Sequence, residues 1–285
     1  MSENRKKNNS IAFIGAGNMA SALIDGLLAD GWKADQIRTS DTDQARLDLL
    51  GQKRVITSSD NSAVVSGADA IILAVKPQVM QDVLKPLKES LESSSCLLIS
   101  IAAGITMDNL QSWTHPEQAI VRCMPNTPAL VQLGASALFA NAQCSDEQRQ
   151  LANNLLKAVG VVSWLKQESD MAAVTALSGS GPAYFFLLIE AMQEAAIELG
   201  LDKKTAELLC QQTALGAARL AQNSNVDVSE LRRRVTSPGG TTEAALRQFE
   251  SDDFNAMVAR ALAKAAQRSR ELAEPASDTE QSNKS

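Results

Sequence analysis

Histidine and tyrosine each occur once, and the four cysteines (Cys96, Cys123, Cys144, Cys210) form no C-x-x-C pair and accompany no histidine cluster. A structural zinc site and a disulfide framework are therefore not expected, no metal is assigned, and a reducing cytoplasm fits the unpaired thiols. Long apolar runs are also missing: YFFLLI at 184–189 spans six residues and meets Glu190, so no membrane partner is expected. Excess positive charge is absent too. A net charge of −6 and a pI near 5.0 argue against a nucleic-acid partner. The run Arg5-Lys6-Lys7 reads as a solvated tail; Gly15, Gly17 and Asn18 break any signal-peptide core behind it.

What is present begins at Ile11. The segment IAFIGAGNMA places four apolar residues before Gly15-Ala16-Gly17 and then opens a helix, with the spacing G-x-G-x-x-A. Gly15 allows the turn, Gly17 lets the backbone approach a pyrophosphate, and Ala20 lets the helix sit close on the strand. Unpaired N–H groups and the positive helix end face the anion. Ala22-Leu23 and Leu27-Leu28 continue at helical spacing, which raises this glycine triplet above an ordinary turn.

At 285 residues the chain has room for two domains. Strands are read at Ile37–Ser40, Ala70–Val75, Cys96–Ile101, Ala119–Met124, Ala135–Ala140 and Val161–Leu165, a short strand or connector at Val55–Thr57, and helices at Asp43–Gly51, Gln78–Leu91 and Asp146–Val159. Wholly apolar strands such as AIILAV and CLLISI are those of a parallel sheet covered on both faces. After Trp164 the strand signals stop. Met171–Leu177, Ala183–Leu199, Lys203–Gln222, Ser229–Val235, Thr241–Phe249 and Phe254–Ala273 read as helices. The expected fold class is α/β, a Rossmann-like N-terminal domain followed by an all-helical C-terminal domain. The expected boundaries are an unstructured 1–10, a dinucleotide-binding domain at 11–165, a helical domain at 166–274, and an unstructured tail at 275–285. Residues 184–189 are apolar on every side, as in a subunit interface or at the centre of a bundle.

Three strings could carry chemistry: Met124–Pro128 (MPNTP), Leu177–Tyr184 (LSGSGPAY) and Val235–Thr242 (VTSPGGTT). The last is a turn at a helix start, with Glu243 three residues after Gly240. It offers backbone N–H groups and the hydroxyls of Ser237, Thr241 and Thr242, either as a carboxylate site needing no arginine or as a plain capped loop. Alcohol oxidation requires a base, usually histidine or lysine. His115 lies in a turn-like connector, and no lysine falls within Ser178–Ile189. A protonated C=N bond can be reduced beside a hydroxyl alone, so this composition suits imine reduction better.

AVKPQ at 74–78, MPNTP, LSGSGPAY and VTSPGGTT together resemble pyrroline-5-carboxylate reductase, over residues 11 to about 273. The resemblance implies NAD(P)H-dependent reduction of 1-pyrroline-5-carboxylate to L-proline, the last step of proline biosynthesis. It also implies a helical-domain homodimer, often assembled into a decamer. Gly15, Gly17, Asn18 and Met19 would hold the pyrophosphate, with Ser40 at the end of the second strand in the cofactor set. Asn61 would contact the adenosine ribose, and Ala74, Lys76 and Pro77 would line the nicotinamide. Ser237, Gly239, Gly240 and Thr241 would bind the substrate carboxylate, and Thr242 would stand by the ring nitrogen as the catalytic hydroxyl. After the second strand, where many NADP-preferring relatives carry an Asn-Arg pair, this chain has Thr39-Ser40-Asp41-Thr42; Asp41 suits NAD, while Arg38 and Arg46 could offset it. The cofactor is NADP(H) or NAD(H), the family tipping the balance to NADP. A 3-hydroxyacid dehydrogenase would want a lysine where Tyr184–Ile189 stands, and a non-catalytic cofactor sensor would not need the two C-terminal strings.

Overall fold

The computed structural model describes residues 9–273. Residues 1–8 and 274–285 lie outside the described part, and with them most of the expected unstructured N-terminus and all of the expected tail at 275–285. Asn9 and Ser10 depart from that expectation. The Ser10 N–H donates to Asp69 Oδ2 at 2.7 Å, and Gln36 Nε2 donates to the Asn9 carbonyl at 3.0 Å, so both residues are fastened beside the first strand.

The first unit is built on one sheet of β1 (Ile11–Ile14), β2 (Ile37–Ser40), β3 (Ile56–Ser58), β4 (Ala70–Leu73), β5 (Leu97–Ser100), β6 (Ile120–Met124), β7 (Gly134–Ala140) and β8 (Gly160–Trp164). Their order is β3-β2-β1-β4-β5-β6-β7-β8. The first six are mutually parallel in the doubly wound order. β7 then runs antiparallel to β6, and β8 lies parallel to β7. Strand residues alternate between two cores, one on each face. Ile11, Phe13 and Ile72 join one, and Ala12, Ile14, Ile71 and Leu73 the other. That is why β1 and β4 are apolar at every position.

The faces are covered by α1 (Asn18–Ala29), α2 (Gln44–Gly51), α3 (Asn61–Val65), α4 (Met80–Leu84), α5 (Lys88–Glu92), α6 (Met107–Trp113) and α7 (Asp146–Lys157). The helix expected over Gln78–Leu91 is broken. Tight turns at Pro77–Val79 and Lys85–Leu87 flank α4, because proline at 77 and 86 has no N–H to continue the ladder. α3 and α6 escape the sequence reading because they are short; each is nucleated by a cap, Asp60 and Thr106 respectively.

The C-terminal elements are α8 (Met171–Val174), a π-turn over Thr175–Gly179, α9 (Gly181–Glu198), α10 (Lys203–Asn223), α11 (Val228–Arg234), α12 (Thr241–Ser251) and α13 (Phe254–Ala273). By packing, one compact unit runs to Ser180 and resumes at Ala265, and the other is Gly181–Lys264. The division thus comes later than the change of composition near residue 165, since Met171, Ala172 and Ala176 are buried in the first unit.

In the second unit α9 and α10 pack together, with the Cys210 thiol 3.6 Å from the Ile189 carbonyl. Phe185, Phe186 and Leu187 remain about two-thirds exposed, so α9 is not the centre of a bundle within its own chain. Residues Glu168–Glu198 form one 31-residue helical stretch that contains an 18-residue window of mean hydropathy 1.5, long and apolar enough to cross a membrane by length and composition. The reading that no stretch reaches that length is corrected: it considered only Tyr184–Ile189, and helical continuity adds the flanking turns.

Gly26, inside α1, packs closely on the link between α7 and β8. A Cβ there would stand 2.3 Å from Val159 Cγ1 and 2.9 Å from the Ala158 carbonyl oxygen. Gly26→Ala is expected to destabilise the first unit by about 1–3 kcal/mol through overpacking. Thermal melting followed by circular dichroism checks this, and an unchanged midpoint would show that α1 shifts freely.

Candidate functional site

At the carboxyl end of β1 the chain has to turn between β2 and β4. Gly15 does so at φ +100°, and a Cβ on it would lie 2.6 Å from the Ala74 carbonyl oxygen. Its N–H donates to the Ser40 carbonyl at 2.7 Å, which anchors the turn to β2. Gly17 is the N-cap of α1 and supplies no side-chain cap. By contrast α2, α3, α6 and α7 are capped by Asp43, Asp60, Thr106 and Ser145. A Cβ on Gly17 would meet nothing nearer than Arg46 Nη1 at 3.9 Å. The first-turn N–H groups of α1 therefore face an open cradle, with Asn18 exposed and Met19 half-buried behind it. Such a cradle fits a dinucleotide pyrophosphate.

Around it stand the other residues expected to hold cofactor. Ala74 directly follows β4, its N–H donating to the Ile14 carbonyl at 2.8 Å; Lys76 is exposed, and Pro77 is half-buried at the start of its turn. Ser40 sits differently from the expectation. It is fully buried, and its hydroxyl donates to Asn61 Oδ1 at 2.7 Å. Ser40 thus orients Asn61, fixing the amide oxygen and leaving the amide nitrogen as the outward donor.

The MPNTP and LSGSGPAY strings meet within the first unit. Asn126 Nδ2 donates to the Ser178 carbonyl at 3.1 Å, while its Oδ1 accepts from the Ala135 N–H at 2.8 Å. A Cβ on Gly179 would stand 2.5 Å from the Met124 methyl. The hydroxyls of Thr175 and Ser178 turn back to the carbonyls of Met171 and Val174, and the Ser180 N–H closes the π-turn onto the Thr175 carbonyl at 2.8 Å. Asn126 is therefore a brace between β6 and the π-turn, a role that its place in a turn-like string did not reveal.

In the second unit, Ser237-Pro238-Gly239-Gly240 forms a turn closed by the Gly240 N–H donating to the Ser237 carbonyl at 3.0 Å, with Gly239 at φ +72°. Proline at the second position and left-handed glycine at the third make it type II. Gly240 is the N-cap of α12, again with no side-chain cap, and Ser237, Thr241 and Thr242 are exposed at the helix start. Sequence reasoning missed one contact. Glu243 reaches back to accept the Gly239 N–H at 2.6 Å and pairs with Arg247 at 2.9 Å. The Gly239 N–H first, and then the Arg247 charge, hold its carboxyl below the usual range. The only sign in the sequence was the acidic residue three positions after Gly240.

His115 is half-buried in the connector between α6 and β6. Among the described residues no group of three His, Cys, Asp or Glu could hold a metal ion. Burial pushes the thiols of Cys96, Cys123 and Cys144 up, which makes them poor nucleophiles.

The doubly wound sheet, its glycine cradle and the helical C-terminal elements define an NAD(P)-linked oxidoreductase of the Rossmann type. The chain is 52% identical to the pyrroline-5-carboxylate reductase of Pseudomonas aeruginosa, over 93% of this chain and 97% of that one. It belongs to the pyrroline-5-carboxylate reductase family. The enzyme of that name from Haemophilus influenzae is 46% identical over 92% of this chain and 97% of its own. A solved pyrroline-5-carboxylate reductase from Coxiella burnetii matches with a TM-score of 0.91 at 44% identity, covering 94% of this chain and 100% of that one. The Plasmodium falciparum pyrroline carboxylate reductase, solved with NADP bound, matches with a TM-score of 0.84 at 30% identity, over 94% and 99%. Residues 168–272 match the family described as pyrroline-5-carboxylate reductase dimerisation, and residues 10–104 that described as NADP oxidoreductase, coenzyme F420-dependent.

Gly15→Ala should force both a strained backbone and a clash with the Ala74 carbonyl, at a cost of about 1–3 kcal/mol. Calorimetric titration with NADP is expected to show at least about tenfold weaker binding. Unchanged affinity would mean the turn does not shape the cradle.

Proposed function

We propose that the chain reduces the C=N bond of 1-pyrroline-5-carboxylate to give L-proline, with NADPH or NADH as reductant. The observation that carries this reading is the helix start at Ser237–Thr242: a glycine N-cap, backbone N–H groups and exposed hydroxyls, with neither histidine nor lysine in the loop. Ser237, Gly239, Gly240 and Thr241 bind the substrate carboxylate, for which α12 offers its positive end and which takes the place of the Glu243 carboxylate at the Gly239 N–H. Thr242 is the catalytic hydroxyl. Its oxygen accepts from the N–H of the protonated imine, and its O–H then donates to the nitrogen lone pair formed as the C=N electrons move onto nitrogen.

When bound, the reduced nicotinamide supplies the hydride to the imine carbon. The α1 cradle of Gly15, Gly17, Asn18 and Met19 holds the pyrophosphate, Asn61 (set by Ser40) holds the adenosine ribose, and Ala74, Lys76 and Pro77 line the nicotinamide. No base is needed to take a proton from substrate, which accords with a Ser237–Thr242 loop that holds neither histidine nor lysine.

The exposed apolar face of α9, including Phe185, Phe186 and Leu187, is proposed to be covered in a homodimer through the helical part, residues 166–274, with the dinucleotide-binding part being 11–165. Such dimers would assemble further, to a decamer, in a cytoplasmic setting and without nucleic-acid or membrane partners.

The test is oxidation of NADPH and NADH by the purified protein with 1-pyrroline-5-carboxylate. Cofactor binding without turnover would remove the reductase reading and leave a sensor. Removing one aligned transition-state donor typically costs on the order of 10²-fold in rate, and Thr242→Ala should lose that much kcat. Wild-type kcat in this variant would take Thr242 out of the chemistry.

A further inference from the structure

The loop read as the substrate carboxylate site holds a carboxylate of the chain's own. In a capping box, an acid at the third helical position reaches back to the N-cap N–H. In α12 the Gly240 N–H is already engaged by the Ser237 carbonyl. Glu243 therefore passes it, and Oε2 accepts from the Gly239 N–H at 2.6 Å. Its other oxygen, Oε1, accepts from Arg247 Nη2 at 2.9 Å. The Arg247 side chain is 73% exposed on a flexible stem, so it can follow Glu243 away from the loop at little cost. There is room for that movement. Glu243 and Arg247 line a hollow of about 490 Å³ between α11 and α12, together with Arg232 and Arg233.

We propose that Glu243 is a built-in competitor for the substrate carboxylate, and that Arg247 sets the balance by giving the displaced side chain a second place to go. The inference rests on Ser237–Thr241 being the carboxylate site, and it adds what governs affinity there. One helix end accommodates one anion at a time, because two carboxylates side by side repel. While Glu243 holds the Gly239 N–H, the left-handed turn stays in shape, and an incoming ligand does not have to order it. When a ligand carboxylate takes that N–H, Glu243 keeps its bond to Arg247 and withdraws into the hollow, so its charge remains paired. Substrate thus meets a preformed loop but gives up part of its binding energy to the exchange. On the way out, the same side chain reclaims the N–H from the product. Both residues are positioning residues, acting through the loop rather than on the reacting atoms.

Steady-state kinetics with 1-pyrroline-5-carboxylate at saturating NADPH, and calorimetric titration with L-proline, read the exchange. Glu243→Gln keeps an oxygen for the Gly239 N–H but replaces a charge-assisted bond by a neutral one, which a ligand carboxylate displaces more easily. KM for substrate and Kd for L-proline are expected to fall about three- to tenfold, with kcat moving less than about twofold. Should that variant fail to fold, Glu243→Ala is read in its place, with KM expected to move in the same direction. Arg247→Ala leaves Glu243 with the Gly239 N–H as its partner and should raise KM severalfold. In the double variant with Glu243→Gln that rise should vanish, since the two residues act as a pair. A rise that persists there would make Arg247 a direct attractor of substrate and overturn the exchange. A helix cap alone predicts an unchanged or higher KM when Glu243 is replaced; that result, with wild-type turnover intact, overturns the proposal and leaves the reductase reading standing. If the wild-type protein neither turns over substrate nor binds L-proline, the carboxylate site itself has been misplaced and the proposal falls with it.

Discussion

The near-contact between Gly15 and the Ala74 carbonyl governs the rest of the first unit. β1 and β4 are hydrogen-bonded neighbours, and the chain must leave β1 across the end of β4 without colliding with it. Only a residue without Cβ passes at 2.6 Å, and only a left-handed backbone turns sharply enough to start α1 at once. From that turn follow the aim of α1, the exposure of its first N–H groups, and the position of Ala16, whose N–H finds Asp41. Three ends of the sheet, at β1, β2 and β4, are thereby drawn into one corner. The anion cradle is a by-product of a steric constraint on the backbone.

Much of this was legible because burial on both faces writes itself into composition. AIILAV and CLLISI could be placed as sheet centre from their lack of any polar alternation, and both lie there. The reversal at β7 was not legible, since GASALFA is apolar whichever way it runs; direction is set by the short turn around Leu130–Leu133 that follows β6. Helices cut by proline or only one or two turns long were misjudged for a related reason: their stability comes from caps and tertiary packing, not from periodicity. The loops of the site were legible as loops, because glycine and proline positions report backbone demand directly.

Side-chain roles at those loops were less legible, and Ser40 shows why. Its place at a strand end suggests contact with cofactor, but strand residues alternate faces, and a single register position decides whether a hydroxyl meets ligand or meets Asn61. Asn126 and Glu243 teach the same lesson. Each is a polar residue in a turn-rich string, and each spends its hydrogen bonds on holding that string in shape. A sequence lists donors and acceptors, but only geometry tells which are already engaged.

The glycine N-caps of α1 and α12 carry a consequence for engineering. At an ordinary helix start, replacing glycine by serine or aspartate gains a few tenths of a kcal/mol or more, and such changes are among the easiest routes to a hardier protein. At Gly17 and Gly240 the same substitution would fill the space proposed for an anion and satisfy the N–H groups proposed to hold it. The cheapest thermostabilising changes in this chain are thus the ones that would close its sites. Its working loops mark a place where robustness was traded for activity, residue by residue.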